Sequence, residues 1–400
     1  MAGSLASDTI CDYTPLSANP SLTGPVSYTS NPAIIGQTPG GVGSNVAHAA
    51  HYAGASVILA SVVADDIAGR SLLSSLAKVG MRTDAVLTLP SDEDTRTAQY
   101  IAINTTTKDL HIAMADMNIL THSMLESSEY WQDIFAKHHP RWLVLDANWS
   151  PRILSTILTA ARSASASAKV AFEPVSNEKG ARLFHKSTKA VAWSDVFPNH
   201  KFNLSTPNIF ELEAMYTSAR EAGLFESPEW WDVINHMNLS ASGSRDLLVR
   251  VLGAELVEKG VPQMMLQLLP YVPNLVVKLG AKGCLLACLV GKEDERLSSP
   301  EALKYILSRS EDELGPNPVG GVYMRLFPPA EVVREGDAVS VNGVGDTMLG
   351  VLMAGLVSGD GERRLEEVIP IAQKAAVMTL KSKEAVSGEV RGVRRFFEAA

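Results

Sequence analysis

The sequence of 400 residues is poor in cysteine, in aromatic residues and in long apolar runs. Its three cysteines (Cys11, Cys284 and Cys288) are too few for a disulfide framework. No stretch approaches the roughly 18 consecutive apolar residues that a membrane-spanning helix needs, which argues against an integral membrane protein. The N-terminus also lacks the basic and apolar regions of a secretory signal. These absences predict a soluble protein of a reducing compartment, with the cytoplasm as the default location.

Positive charge is scarce as well. Lys and Arg total 35 against 44 for Asp and Glu, which gives a net charge of −9. Non-specific binding to nucleic acid depends on neutralising phosphates with basic side chains, so this balance argues against a nucleic-acid partner. The hydrophobic fraction of 46% and the charged fraction of 20% are typical of a globular chain and not of a disordered one.

Apolar runs of strand length alternate with helical segments along most of the chain. WLVLD (142–146) and KVAFE (169–173) are typical of buried strands, and residues 151–162 between them have a helical pattern. This alternation predicts an α/β fold with a doubly wound, mostly parallel sheet flanked by helices. Two segments, 218–270 and 291–335, interrupt the alternation and are interpreted as excursions from it.

The most informative local motif is NGVGD at residues 342–346, which opens a predicted helix. Two glycines at a helix start let backbone N–H groups converge, and the helix dipole adds partial positive charge, so this turn is a candidate anion site. Asp346 in the first turn is a candidate proton acceptor. By itself, the motif is better explained by a glycine turn whose Asp complements the dipole. The spacing does not match a Walker A loop.

A second glycine-rich motif, PGGVGSN at residues 39–45, contains Gly40, Gly41 and Asn45. Its glycines permit close approach of backbone to a ligand, and Asn45 offers both a donor and an acceptor. A tight turn with a helix cap remains the alternative. The spacing is not that of a dinucleotide-binding motif.

Two further motifs allow both a structural and a functional interpretation. Asn208 and Glu211 are spaced as a helix capping box, and they also offer two oxygens to a hydrated Mg²⁺. Residues 278–283 (KLGAKG) lie between two apolar runs, as a hairpin turn or as a turn that contacts a nucleotide.

Together and in this order, the four motifs resemble those of the ribokinase (PfkB-type) family of sugar and nucleoside kinases. Gly40, Gly41 and Asn45 correspond to its N-terminal signature, and residues 340–346 to its C-terminal one. Asn208 with Glu211 matches its Asn-x-x-Glu motif, and Gly280 with Gly283 matches its Gly-x-x-Gly turn. The resemblance spans nearly the whole chain and implies a ribokinase-like fold with a small β-sheet lid.

The resemblance also implies roles for particular residues. It makes Asp346 the base that takes the proton of the attacking hydroxyl, with the backbone of Gly343, Val344 and Gly345 holding the charge on the transferring group. It assigns ATP as phosphoryl donor with Mg²⁺, held mostly through water by Asn208 and Glu211, and it leaves room for a monovalent cation such as K⁺. The implied substrate-binding residues are Asp8, Gly40, Gly41, Asn45 and Asn148. The implied nucleotide-binding residues are Lys278, Gly280, Gly283, Ala376 and Leu380.

Within the family, five segments are most similar to pseudouridine kinases. They are PGGVGSNVA, TAQYIAI with HIAMADMNIL, LDANWSP, FEPVS and TPNIFELEAM. The similarity implies ATP-dependent phosphorylation of the ribose 5′-hydroxyl of pseudouridine. Another nucleoside or sugar kinase of the adenosine or ribose type, and a catalytically silent kinase-like binding module, are the alternatives.

The resemblance makes residues 1–400 one kinase domain whose lid is formed by residues 9–38 and 96–116. In this family, lids also pair between subunits, which implies a homodimer. Ser340 departs from the family pattern, which has Asp there, and Val344 replaces Ala. Only Met1 and Ala2 precede the GSLASD turn, where the family pattern has an apolar first strand. We therefore expect either a truncated first strand or the kinase portion of a longer protein, and the fused glycosidase–kinase proteins of this family make the second interpretation reasonable.

Overall fold

The protein's structure, a computed structural model, describes residues 1–15, 23–165, 167–186, 188, 190–239, 244–312, 315–359 and 363–398. Parts of three expectations lie outside the described residues: 16–22 of the lid, 240–243 of the first excursion and 313–314 of the second. No helix within these described ranges has the length and apolar character needed to cross a membrane.

The described residues form thirteen strands and thirteen α-helices. The strands are β1 (Ala6–Tyr13), β2 (Ala33–Gly40), β3 (Ser61–Ala64), β4 (Val86–Leu89), β5 (Gln99–Asn104), β6 (Leu110–Asp116), β7 (Trp142–Asp146), β8 (Lys169–Glu173), β9 (Leu204–Ser205), β10 (Asn274–Lys278), β11 (Cys284–Gly291), β12 (Ile306–Arg309) and β13 (Val319–Phe327). The helices are α1 (Val42–Tyr52), α2 (Ile67–Lys78), α3 (Ser128–His138), α4 (Pro151–Ala164), α5 (Asn177–Gly180), α6 (Ile209–Glu221), α7 (Pro228–His236), α8 (Ser244–Leu252), α9 (Ala254–Glu258), α10 (Val261–Leu268), α11 (Val344–Val357), α12 (Leu365–Leu380) and α13 (Arg395–Glu398).

The central sheet has seven strands in the order β12-β13-β11-β10-β9-β8-β7. Strands β7 to β10 run parallel to one another, whereas β11 pairs antiparallel with β10 and with β13, and β13 pairs antiparallel with β12. Beyond β7, Ala2 forms parallel bridges with Leu145 and with Ala60, and β3 pairs parallel with β4. The predicted α/β fold is confirmed, and its central sheet is mixed, with three parallel and three antiparallel pairs among the described strands.

Helices cover both faces of this sheet, which explains why its strands are apolar without interruption. Along β7, Leu143 and Leu145 pack in one hydrophobic cluster with α3, α4 and α6, while Val144 packs in a second cluster with α1, α11 and α12. Side chains alternate between faces along a strand, so a sheet buried on both faces needs apolar residues at every position.

A separate four-stranded sheet has the order β2-β1-β5-β6. These strands lie within the expected lid ranges, except that β1 begins at Ala6 and β2 ends at Gly40. Register places Ile35, Cys11, Ile103 and Ile112 in one row across all four strands. On β1, Asp8 is three residues from Cys11. Because side chains alternate along a strand, an odd spacing places the Asp8 side chain on the opposite face.

Neither expected excursion forms a separate unit. The described part of 218–270 supplies the end of α6 and the helices α7 to α10, which pack in the same cluster as α3 and α4. The described part of 291–335 supplies β12 and β13, so the interpretation of this segment as an excursion is corrected: it is an edge of the central sheet. An antiparallel edge needs no intervening helix, which is why it interrupts the βα alternation.

A cavity of about 580 Å³ lies at the N-terminal edge, between residues 56–60 and 141–144. The Met1 amino group, the Ala2 N–H and the Gly3 N–H donate to the carbonyl oxygens of Ile58, Val144 and Ala60 at 2.8, 2.9 and 3.1 Å. Residues 1–3 therefore lie next to this cavity and pair in parallel with both neighbouring segments.

Candidate active site

The candidate site lies at the carboxyl ends of the central strands. β7 ends at Asp146, β8 at Glu173 and β10 at Lys278. This edge is where open α/β sheets bind their ligands. The 580 Å³ cavity is a different feature, because none of these three residues lines it.

α11 begins with a glycine turn that presents backbone N–H groups. Gly343 caps the helix with φ 72°, and a Cβ there would overlap the carbonyl oxygen of Ala385, so the position requires glycine. Val344, Gly345 and Asp346 form the first helical turn, whose N–H groups lack acceptors within the helix. The turn and the helix dipole together suit an anion. Ser340, the departure from the family pattern, accepts a hydrogen bond from the Asn342 N–H at 3.2 Å.

Asp346 is joined to the first glycine motif by a direct hydrogen bond. The side-chain amide of Asn45 in α1 donates to Asp346 Oδ2 at 2.8 Å. α1 and α11 pack so closely that a Cβ on Gly350 would lie 2.5 Å from the Val46 carbonyl oxygen. Burial raises the pKa of Asp346 to about 7, and the Asn45 hydrogen bond opposes this rise. A carboxyl group with this pKa is suited to accept a proton near neutral pH.

Further contacts connect Asn45 to three predicted substrate-binding residues, Asp8, Gly40 and Gly41. The Asp8 carboxylate lies against Gly40, where a Cβ would overlap it, and burial raises the pKa of Asp8 to about 6. Gly41 caps α1 with φ 90°, and its carbonyl accepts from the Asn45 N–H at 2.9 Å. A Cβ on Gly41 would lie 2.7 Å from the Ser4 carbonyl oxygen. The structure thus brings together the predicted residues 8, 40, 41, 45 and 346.

Asn148 lies in a buried polar network next to this group. Its side-chain amide donates to Ser4 Oγ at 2.9 Å, and its Oδ1 accepts from Lys179 Nζ at 2.7 Å. Asp146 accepts from the Ser4 N–H at 2.7 Å, the Ser4 hydroxyl at 2.9 Å and the Asn148 N–H at 3.0 Å. Burial raises the pKa of Asp146 and lowers that of Lys179. The network holds the Asn148 side chain in one orientation.

Asn208 and Glu211 form a capping box at the start of α6. The Glu211 N–H donates to Asn208 Oδ1 at 2.9 Å, and the Asn208 N–H donates to Glu211 Oε2 at 2.8 Å. In the described ranges, no three His, Cys, Asp or Glu side chains are close enough to hold a metal ion directly. Mg²⁺ keeps several of its waters when it binds proteins, so two oxygens at this helix start suit a water-mediated site. The assignment of Mg²⁺ to these residues stays a prediction.

The residues predicted to bind the nucleotide lie in two parts of the fold, the end of β10 with the turn that follows it, and α12. Lys278 Nζ is next to the first turn of α11, 3.3 Å from where a Cβ on Gly345 would lie. Gly280 and Gly283, at φ 59° and 89°, form the turn between β10 and β11. Ala376 and Leu380 lie on α12: Ala376 is buried in the core cluster, and the Leu380 carbonyl accepts from the N–H groups of residues 339 and 340. Nucleotide binding by these residues also stays a prediction.

Sequence reasoning missed several residues of the site, among them Ser4, Asp146, Glu173 and Lys179. Asp146 and Glu173 did carry a signal, because each is the acidic last residue of an apolar strand, at the sheet edge where ligands bind. A second signal is visible only in the structure: Val175, between Glu173 and Lys179, has φ 69°. A β-branched residue rarely adopts this conformation, and such strain concentrates at functional sites.

Comparisons with known proteins agree with the resemblance seen in the motifs. The model of the pfkB family carbohydrate kinases matches residues 17–228. A pseudouridine-metabolizing bifunctional protein of Schizosaccharomyces pombe is 29% identical over 374 residues, which are 92% of this chain and 45% of that protein. A pseudouridine kinase of Escherichia coli is 34% identical over 152 residues, which are 37% of this chain and 44% of that protein. The matched regions cover less than half of the length of each relative.

Solved structures show the same fold. The ribokinase of Cryptococcus neoformans in complex with ADP superimposes with a TM-score of 0.61 at 15% identity, covering 99% of this chain and 98% of that one. This similarity establishes a ribokinase-like architecture for the chain.

Proposed function

Because the chain belongs to the pfkB family of carbohydrate kinases, we propose that it transfers the γ-phosphoryl group of ATP to the ribose 5′-hydroxyl of pseudouridine. In this reaction Asp346 accepts the proton of the 5′-hydroxyl as that oxygen bonds to the γ-phosphorus. The bond from the γ-phosphorus to the bridging oxygen of ADP breaks, and the products are pseudouridine 5′-phosphate and ADP. Asp346 then returns the proton to solvent.

One observation carries this proposal: the 2.8 Å hydrogen bond between Asn45 and Asp346. It joins the amide-lined start of α11 to the group of Asp8, Gly40 and Gly41. An acceptor hydroxyl bound between these residues lies next to a carboxyl group whose pKa is about 7. Phosphoryl transfer depends mostly on positioning and on stabilising charge, and this arrangement supplies both.

The choice of pseudouridine is supported by the names of the two curated relatives and by the segments that resemble pseudouridine kinases. A ribose 5′-hydroxyl also suits a base fixed at a helix N-terminus, because a primary alcohol reaches a buried carboxylate without displacing the ring. The lid sheet, which carries Asp8, would close over the nucleoside. Closure excludes water, which would otherwise compete as the phosphoryl acceptor.

Mg²⁺ would be held near Asn208 and Glu211 through its waters, and it would neutralise phosphate charge when bound. Asn208 and Glu211 already fix each other by the capping box, so their oxygens are pre-positioned at the start of α6. K⁺ dependence stays a separate prediction, tested by comparing turnover in potassium and sodium buffers.

The proposed function is tested by incubating the protein with Mg-ATP and a panel of pseudouridine, uridine, adenosine and ribose. We expect a phosphorylated product, identified by its mass, with the highest kcat/KM for pseudouridine. A preference for adenosine or ribose would replace the proposed acceptor within the same family. Absence of any product while ATP binds would favour a silent binding module.

The role of Asp346 is tested by Asp346→Asn, which keeps the size and removes the base. We expect kcat to fall by about 10²- to 10⁴-fold, the usual contribution of a positioned general base. ATP binding measured by calorimetry should persist, because the amide turn is retained. Unchanged turnover would overturn the assignment of Asp346 as the base.

A further inference from the structure

Lys278 carries a nearly buried ammonium group between two carboxylates. Its Nζ lies 2.9 Å from Glu173 Oε1 and 4.0 Å from Glu211 Oε2, and the three side chains are 18%, 4% and 6% exposed. The second oxygen of Glu173 accepts a hydrogen bond from the Thr206 hydroxyl. These contacts fix the ammonium in place.

The same ammonium lies against the first turn of α11. A Cβ on Gly345 would be 3.3 Å from Lys278 Nζ and 3.8 Å from its Cδ, so the side chain passes directly over this turn. A helix N-terminus carries partial positive charge, and a fixed cation beside it is repelled unless an anion lies between or next to both. Glu173 offsets the charge of Lys278 from one side. The opposite side, at the amide turn, remains suited to a second anion.

We propose that Lys278 contacts the transferring γ-phosphoryl group, and that Glu173 is a positioning residue that holds the ammonium at the start of α11. The proposal deepens the proposed function, on which it rests, by naming the cation that stabilises the transferring group. A charge fixed in advance at the site where negative charge develops stabilises a transition state without reorganisation. Because Lys278 faces the amide turn, it distinguishes ATP from ADP, which lacks the γ-phosphoryl group.

The alternative is an ion pair that only supports the fold. Removing one member of a buried pair leaves an uncompensated charge, so Lys278→Met alone is expected to destabilise the protein under either interpretation. The informative variant is therefore the double substitution Glu173→Gln with Lys278→Met, which removes both charges and keeps the side-chain sizes similar. Its melting temperature establishes that the variant is folded before binding is measured.

The first test measures the affinity of the β,γ-imido analogue of ATP and of ADP by calorimetry, both with Mg²⁺. For the folded double variant we expect ADP affinity within about twofold of wild type and affinity for the ATP analogue lower by at least about tenfold. Equal losses for both nucleotides, or no loss for either, would overturn the role of Lys278. The surface variant Lys282→Met, from the same turn, is the matched control, because Lys282 pairs with Glu255 in solvent.

The second test uses kinetics to distinguish a positioning role of Glu173 from an ion pair that only supports the fold. We expect Lys278→Arg to recover part of the kcat lost in Lys278→Met, because it restores a cation. Once its melting temperature shows that it is folded, Glu173→Gln should lower kcat by about 10-fold or more while the KM for the nucleoside stays unchanged, because the displaced ammonium faces the phosphoryl donor. A Glu173→Gln protein with wild-type kcat would refute the positioning role.

The experiments distinguish a wrong phosphoryl acceptor from a wrong role of Lys278. If the wild-type protein phosphorylates nothing in the acceptor panel but the double variant still loses affinity selectively for the ATP analogue, the proposed acceptor is wrong and Lys278 keeps its role. If the wild type turns over and the double variant shows no selective loss, only the Lys278 assignment is wrong. A wild type that binds neither nucleotide would overturn both.

Discussion

Asp346 combines two environments that push its protonation in opposite directions. Burial favours the neutral acid, while the Asn45 amide donates to the carboxylate and favours the anion. The resulting pKa of about 7 leaves the side chain ready to gain or lose a proton near neutral pH. The hydrogen bond that favours the anion joins residues 301 positions apart in the chain.

We expect kcat/KM to rise with pH through about 7, because a base acts in its deprotonated form. At pH 6, kcat/KM should be about tenfold below its plateau, as one unit below the pKa leaves about a tenth of the groups ionised. Asn45→Ala removes the hydrogen bond that lowers the pKa, so the rising limb should move to higher pH. The measurement is the pH profile of kcat/KM for wild type and variant.

Asn148→Ala is the control for this profile. Asn148 contacts Ser4 and Lys179 and makes no hydrogen bond to Asp346. We expect loss of the Asn148 side chain to weaken substrate binding, while the rising limb of the kcat/KM profile stays at the same pH. If the rising limb of the kcat/KM profile lies at the same pH in Asn45→Ala as in wild type, the proposed influence of Asn45 on the pKa of Asp346 is contradicted.

At the scale of elements, Ala2 forms parallel bridges both with β7 and with the segment leading into β3. The Val144 carbonyl accepts from Ala2, and the Ile58 carbonyl accepts from the Met1 amino group, so the N–H groups of Val144 and Ile58 point to the same side. One face of the adjoining cavity has small residues of α1, and the other has Phe135 of α3. This geometry suits an extended apolar segment.

An apolar extension added before Met1 is expected to enter this cavity of about 580 Å³ as a strand, because the cavity lining includes Ile58, Phe135 and Val144. Adding four residues of alternating Val and Ile before Met1 should raise the melting temperature by several degrees, because burying each such side chain contributes about 1.5–3 kcal/mol before ordering costs. Differential scanning calorimetry measures the effect.

The matched control adds four residues of alternating Ser and Asp at the same place. These residues do not gain by entering an apolar cavity, so the melting temperature should stay at that of the original chain. Equal melting temperatures for the apolar and polar extensions would show that the cavity does not take a strand.

At the scale of the whole molecule, the lid sheet exposes apolar residues on the face opposite Asp8. Ile35 is 67% exposed, Ile112 48% and Met114 54%. Exposed apolar patches of this kind mark association surfaces. The face carrying Asp8 is turned to the site, so the opposite face is the one free to meet a second subunit. We propose a homodimer through this face.

Two adjacent isoleucines provide a matched test of that homodimer. Ile34 and Ile35 are each 67% exposed, but they lie on opposite faces of β2. Ile35→Lys should raise the dimer dissociation constant by about 10- to 100-fold, because it replaces about 1.5–3 kcal/mol of apolar burial. Ile34→Lys should leave the dimer intact. Sedimentation velocity measures both, and a monomeric wild type would contradict the proposal.

The fused glycosidase domain expected from the resemblance stays a prediction. The chain covers 45% of its S. pombe relative, which is named as bifunctional.

Local patterns were sufficient to predict much of the fold. Uninterrupted apolar runs predicted β7, β8 and β10, because a sheet buried on both faces leaves no polar positions. β12 and β13 were missed, because an antiparallel edge does not need the βα alternation on which the prediction depended. In the site, the glycine motifs predicted the helix starts at residues 41 and 343, since only glycine adopts φ 90° or 72° there without strain.

The sequence by itself determined the fold class and the family, and it predicted the base, because each depends on residues that are close together in the chain. Only the tertiary structure decided which distant residues meet. It brought Asn45 to Asp346, placed Lys278 between Glu173 and Glu211, and put the apolar row of the lid on the face away from Asp8. Such contacts follow from helix packing and strand register, which are set by the burial of the whole core and not by any local pattern.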